Sequence, residues 1–315
     1  MMSKITDFTF PSSSGLCQIH GRQWLPEDGN YVGIVQLLHG VAEHIGRYDA
    51  FARFLNSHGY IVVGNDHLGH GLSVAGEAYR GYFADRDGWI HVSNDTRTLQ
   101  IMTARQFPGL PYFLLGHSMG SFLTRTYLIR FPGTVDGAVI CGTGQMRPAV
   151  IRAGRAAAQL EKRRIGARGK SKLLAQLSFG SYNNQFKPTR TEYDWLSINT
   201  ENVDAYMADP LCGFDTTVGL FLDLMDGLTL IRDPQQLAHM CKETPAFFIA
   251  GGLDPVGESG KGVRRAYLSF QKAGMKSLDL HIYPGLRHEI LNEVVREMVY
   301  DDVLAWLDRQ RGSMR

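Results

Sequence analysis

The sequence predicts an α/β protein with a mostly parallel, eight-stranded sheet flanked by helices and interrupted by an inserted helical cap. Three observations carry this reading. Short, continuous apolar runs alternate with amphipathic stretches through most of the chain, the pattern of strands buried on both faces. That alternation stops between about residues 145 and 235, where the chain turns helical and polar. Its 315 residues, 44% hydrophobic and 20% charged, are enough for one large core.

In chain order, the first 30 residues, with "FTFPSSSGLCQIHGRQWLP", read as an antiparallel strand pair. "YVGIVQLLHG" (31–40) is the next strand, followed by a helix near 43–58 and the strand "YIVVGND" (60–66). A helix near 91–107 leads to the strand "PYFLLGH" (111–117). A second helix, near 120–131, is closed by Phe131-Pro132-Gly133. "GAVICGT" (137–143) precedes the break. "TPAFFIAGG" (244–252) and "LDLHIYPG" (278–285) are the last two strands, with helices near 259–274 and 288–309. The domain expectation is therefore a core of residues 1–144 and 236–315, with residues 145–235 as the cap.

The remaining composition narrows the function class. "MMSKITDFTFPSSSG" has no apolar signal core, and no stretch approaches the roughly 18 apolar residues of a membrane span, so a cytoplasmic, soluble protein is expected. Cys17, Cys141, Cys212 and Cys241 are widely spaced, which speaks against a zinc cluster or a disulfide framework. A net charge of +2 carries no signature of nucleic acid. "PVGESGKG" imitates a phosphate loop, but Pro255 stands at the required first glycine and Gly262 at the required hydroxyl. "DHLGH" offers Asp66, His67 and His70 as metal ligands, yet it lies in a glycine-marked loop without a helical H-E-x-x-H. Neither a metal nor a cofactor is expected.

"LLGHSMGS" (114–121) holds the chemistry. G-x-S-x-G between a strand and a helix puts Ser118 on a turn tight enough to need its flanking glycines. A serine hydroxyl is a weak nucleophile until a base takes its proton, and the base needs a carboxylate to orient it. On this kind of sheet the chain order is serine, acid, histidine. Asp254 follows the strand ending Gly251-Gly252, and His288 follows the last strand, in what reads as a helix start. Of the other ten histidines, His281 lies inside a strand and His239 near the cap's exit. His39, His44, His67, His70 and His117 precede or adjoin the serine. His20, His58 and His91 have no motif around them. The oxyanion of an acyl-transfer intermediate needs two backbone N–H donors. Met119, following the nucleophile, and Val41, following Gly40, are the candidates.

"HGVAEHIGRY" (39–48), "NDHLGHGLS" (65–73), "GHSMGS" (116–121), "GGLDPV" (251–256) and "GLRHEILNE" (285–293) together resemble the monoacylglycerol lipase and lysophospholipase branch of the α/β-hydrolases, also described as serine aminopeptidase-like. The resemblance implies an α/β-hydrolase fold with Ser118 as nucleophile, Asp254 as acid, His288 as base, and Val41 and Met119 as oxyanion amides. It covers most of residues 30–143 and 244–293. In the cap only "NVDAYMADPL" (202–211) is familiar.

The expected reaction is hydrolysis of single-chain carboxylic esters through an acyl-enzyme. Substrate-pocket candidates are His39, Gly40 and His117 at strand ends, together with Phe214, Phe221, Leu222 and Met225 from the apolar stripe "FDTTVGLFLDLMDGLTLI" (214–231). An amidase or aminopeptidase would need a cap acid for a substrate ammonium, and Glu192, Asp194 and Glu201 qualify equally. A non-catalytic small-molecule receptor is the third reading. The basic segment 152–172 is either a solvated face or a transient contact with anionic lipid. Nothing in the sequence indicates an oligomeric state.

Overall fold

The structure is a computed structural model and describes residues 3–312. Ser3–Pro11 (β1) and Gln18–Pro26 (β2) form the expected antiparallel pair. They are followed by Gly33–Leu38 (β3), Tyr60–Asn65 (β4), Tyr112–His117 (β5), Gly137–Cys141 (β6), Ala246–Gly251 (β7) and Leu278–Tyr283 (β8). Among the described residues these form one eight-stranded sheet in the order β1-β2-β4-β3-β5-β6-β7-β8. β2 joins β4 antiparallel, and every pairing from β4 to β8 is parallel.

The helices are Asp49–Ser57 (α1), Gly88–Gln106 (α2), Met119–Arg130 (α3), Pro148–Ile165 (α4), Lys172–Phe179 (α5), Thr200–Ala208 (α6), Val218–Leu230 (α7), Pro234–Leu237 (α8), Lys261–Lys272 (α9) and Arg296–Gly312 (α10). Alternate strand residues feed two apolar clusters. Ile34, Leu114, Ile140 and Phe248 pack with Trp89 of α2, Leu123 of α3 and Phe270 of α9. Val35, Leu115, Val139 and Ile249 pack on the other face with Phe51 and Leu55 of α1 and Trp306 of α10. Strands covered on both sides explain why their sequences run apolar without alternation. Each such side chain contributes roughly 1.5–3 kcal/mol by leaving water.

Two differences from the sequence expectation bear on the site. The segment near 43–58 divides into a 3-10 turn (Ile45–Tyr48) and α1, with His44 accepting the Gly46 N–H at its start. The last helix begins at Arg296, so His288 is not at its start. It lies in a loop just before a short 3-10 turn, Ile290–Asn292. Glu289 and Glu293 are 3% and 0% exposed and are spent on side-chain and backbone partners, so the polar face that a helix there would need is missing.

Residues 142–245 join β6 to β7 and carry α4 to α8; among the described residues they add no strand to the sheet. α7 lies against the core. A Cβ on Gly227 would come within 2.2 Å of the Trp89 indole, and a Cβ on Gly154 of α4 would lie 3.5 Å from both Phe221 and Met225.

Candidate active site

The turn after β5 forces its own composition. Ser118 adopts φ 54° and ψ −120°, a left-handed conformation that a side-chain-bearing residue enters only under constraint. Its N–H bonds to Cys141 O on β6 at 3.0 Å, and its carbonyl takes the Ser121 N–H at 2.9 Å. A Cβ on Gly116 would sit 2.2 Å from Gly120 O, and one on Gly120 2.0 Å from Leu38 O. Both flanking glycines are therefore demanded by backbone closeness.

Asp254 and His288 converge from the turns after β7 and β8. His288 Nδ1 lies 3.0 Å from Asp254 Oδ1, with the side chains 2% and 0% exposed. The ring N–H is off the line to the carboxylate, so this is a close contact rather than an aligned hydrogen bond. Asp254 Oδ1 also accepts the Val256 N–H at 2.9 Å, whereas Oδ2 is buried with no hydrogen-bond partner among the described residues. The imidazole lies close to the rings of His117, at 4.6 Å, and Trp195, at 5.1 Å. Ser118, His288, Gly40, Val41 and His117 line one cavity of about 430 Å³. Ser118 Oγ makes no hydrogen bond to His288 among the described contacts.

Met119 is the first residue of α3, where the amide has no intrahelical acceptor. Val41 sits in the loop after β3, and a Cβ on Gly40 would lie 3.2 Å from the Ser118 Cβ. Ala42, next in the loop, has φ 54° and is held from above: its carbonyl accepts the Gly213 N–H at 2.9 Å and the Tyr206 hydroxyl at 3.0 Å.

The remaining expected pocket residues divide. Phe214 lines the cavity, with Phe179, Trp195, Leu196 and Val256. Phe221, Leu222 and Met225 do not line it; they are buried in the apolar cluster that also covers the sheet. Periodicity found an apolar face on α7, but that face packs on α4 and the core. His39 is fully buried behind the cavity wall. Its Nδ1 donates to Gly40 O at 2.7 Å, its Nε2 accepts the His67 N–H at 2.9 Å, and burial pushes its pKa down.

Asp66, His67 and His70 are buried in the loop after β4. Asp66 accepts the Ile45 and Leu72 N–H groups at 2.9 and 2.8 Å, and burial pushes His70 down to about 3. Among the described residues His44, Asp209 and Cys212 hold donor atoms within 4.8 Å of one another. His44 Nε2 and Asp209 Oδ2 already satisfy each other at 2.9 Å, which leaves a metal little to offer there.

At the cavity wall, with Glu43, His117 and Glu289 among its lining, lies a charge cluster that the sequence reading missed. Glu43 Oε1 accepts the Gly40 N–H at 2.5 Å and the Tyr48 hydroxyl at 2.9 Å, and Oε2 accepts Arg47 at 2.8 Å. Burial pushes Glu43 up, yet hydrogen bonding to His117 and the charge of Arg47 outweigh it and hold the carboxyl well below the usual range. Burial likewise opposes the His117 cation, but Glu43 turns the net shift upward. Glu43 and Arg47 lie inside "HGVAEHIGRY", and Glu289 directly follows His288. Their pairing across the chain was the unseen part.

The family profile described as "Serine aminopeptidase, S33" matches residues 29–295. The chain belongs to this α/β-hydrolase family. It is an enzyme of the carboxylic ester hydrolase class. It is 31% identical over 284 residues to a monoacylglycerol lipase of Mycolicibacterium smegmatis, covering 90% of each chain. To the Homo sapiens monoglyceride lipase it is 28% identical over 300 residues, covering 93% of this chain and 87% of the other. A thermostable carboxyl esterase of Bacillus coagulans, solved with glycerol, superposes with a TM-score of 0.90 at 26% identity, covering 99% of this chain and all of that one.

Proposed function

We propose that this serine aminopeptidase-family chain is a serine hydrolase that cleaves single-chain carboxylic esters, such as monoacylglycerols and lysophospholipids, through a Ser118-His288-Asp254 triad. The observation that supports it most is the 3.0 Å approach of His288 to Asp254 at the wall of the cavity that Ser118 also lines. Ser118 Oγ attacks the ester carbonyl as His288 takes its proton. The Val41 and Met119 amides hold the developing oxyanion, and the imidazolium protonates the leaving alcohol. In this reading the buried Asp254 carboxylate, whose Oδ1 lies 3.0 Å from His288 Nδ1, stabilises the imidazolium that forms during turnover. Water then releases the acid from the acyl-enzyme. No cofactor enters the scheme.

Residues 145–235 act in this reading as a cap over the core of residues 1–144 and 236–315, lending the cavity Phe179, Trp195, Leu196 and Phe214. These apolar walls favour an acyl chain, and the names of the relatives point the same way. Leu173 and Leu177 on α5 are 53% and 57% exposed beside Lys170 and Lys172, a surface suited to brief contact with an anionic membrane. No helix among the described residues is long and apolar enough to cross a membrane. The four cysteines are free, which favours a reducing, cytoplasmic setting.

One observation favours a second reading, an amine-bearing substrate. Of the three candidate acids, Glu192 lines the cavity, while Asp194 is spent on the Arg190 and Thr191 N–H groups and Glu201 lies in the first turn of α6. Fluorophosphonate labelling tests the shared chemistry. The adduct is expected on Ser118, and its absence from folded protein would remove both readings and leave the receptor.

A further inference from the structure

Arg47 sits between two carboxylates from distant parts of the chain. Its Nη1 donates to Glu43 Oε2 at 2.8 Å and to Glu289 Oε1 at 2.6 Å, and its Nη2 donates to Glu289 Oε2 at 2.8 Å. The guanidinium and both acids are nearly closed to solvent, at 9%, 4% and 3% side-chain exposure. Each carboxylate is attached to one half of the proposed machinery. Glu43 grips the Gly40 N–H, immediately before the Val41 amide, and Glu289 directly follows His288.

A third attachment comes from the helical insertion. Asn202 on α6 accepts from Arg47 Nη2 at 3.1 Å and donates to Glu289 Oε2 at 2.6 Å. On the same helix the Tyr206 ring lies 4.9 Å from the guanidinium, and its hydroxyl holds the Ala42 carbonyl at 3.0 Å. Ala42, with its φ of 54°, is a conformation that must be imposed by its surroundings. A buried ion cluster of this kind gains little stability over apolar packing. Its bidentate geometry does specify one arrangement of three segments.

We infer that Arg47 is a positioning residue: by forking between Glu43 and Glu289 it locks the oxyanion amide of Val41 and the base His288 in register with each other and with α6. The inference rests on the proposed Ser118 chemistry. The geometry it protects matters only as the tetrahedral intermediate forms, so losing it lowers kcat and leaves ground-state binding nearly unchanged. Electrostatics support the arrangement. Burial pushes Glu289 up, yet the adjacent guanidinium keeps it below the ordinary range, so removing Arg47 leaves two crowded acids with His117 as their remaining counter-charge.

The test compares Arg47→Lys, Arg47→Met and Asn202→Ala with wild type on a monoacylglycerol, with enzyme counted by fluorophosphonate titration so that only folded, labelled protein is scored. Lysine keeps the charge but cannot span both acids, so kcat is expected to fall about tenfold; methionine removes both functions, and about a hundredfold loss is expected. Asn202→Ala keeps the core ion pairs intact and is expected to cost about threefold to tenfold in kcat, with KM within about threefold for all three variants. Labelling rates should follow the same order. Should Arg47→Met fail to fold, the lysine and Asn202 variants carry the decision. A kcat within about twofold of wild type in folded Arg47→Lys and Asn202→Ala would overturn the inference, as would losses confined to KM. If wild type labels at Ser118 but cleaves no ester, the substrate reading fails while the labelling rates still decide the role of Arg47. If it does not label at all, both readings fall together.

Discussion

His288 Nδ1 and Asp254 Oδ1 lie 3.0 Å apart, beyond the ends of adjacent strands, with both side chains closed to solvent. In the proposed mechanism this approach favours the proton on Nδ1 and Nε2 as the nitrogen that acts on the serine.

Asp254→Asn is expected to keep the fold and lower kcat by about 10⁴, as loss of the orienting acid does in other triads. Steady-state kinetics on protein with an unchanged melting temperature checks this. Loss of less than about tenfold would move the acid's role elsewhere.

Phe221 and Phe214 are expected to separate stability from binding. Phe221→Ala removes a ring packed on Gly154 in the main cluster and should cost about 3–5 kcal/mol of stability without changing acyl-length preference. Phe214→Ala, at the cavity wall, should change KM for long chains more than it changes melting. The opposite assignment would restore the apolar stripe of α7 as an acyl site.

Asp223 on α7 faces the start of α2, and burial pushes its pKa up from 3.8 to about 7. The folded form then holds a proton that the unfolded chain has released, so this site's stabilising contribution is present below pH 3.8 and is lost as pH rises toward 7. At about 1.4 kcal/mol per pH unit the effect is bounded near about 4 kcal/mol. Asp223→Asn should therefore melt higher than wild type at pH 8, with the gap narrowing toward pH 5. Parallel melting curves across that range would refute it.

The centre of the sheet was legible because strands β3 to β7 are buried on both faces. A continuous apolar run such as Phe113 to Leu115, bounded by Pro111 and Gly116, is too short for a helix and fits a strand covered on both sides. That Ser118, Asp254 and His288 would come together was legible from their positions just past strand ends, and the need for Gly116 and Gly120 from the tightness of the turn between them. The α7 stripe misled because an apolar period reveals that a face is buried without saying against what. The start of α10 was misplaced for a related reason: Glu289 and Glu293 look like a solvated helix face, yet they are spent inside on Arg47 and on the Ile198 and Arg287 amides. Arg47 reaches across the chain to Glu289, and Trp195 reaches His288 from the helical insertion. Contacts between such distant segments leave no local pattern to read.

The measurement that tests the central claim most directly is hydrolysis of monoacylglycerols of increasing acyl length, with Ser118→Ala as the blank. Turnover that depends on Ser118, falls by about 10⁶ in the blank and varies with chain length is the predicted result. Folded wild-type protein that cleaves none of them above the blank would contradict it.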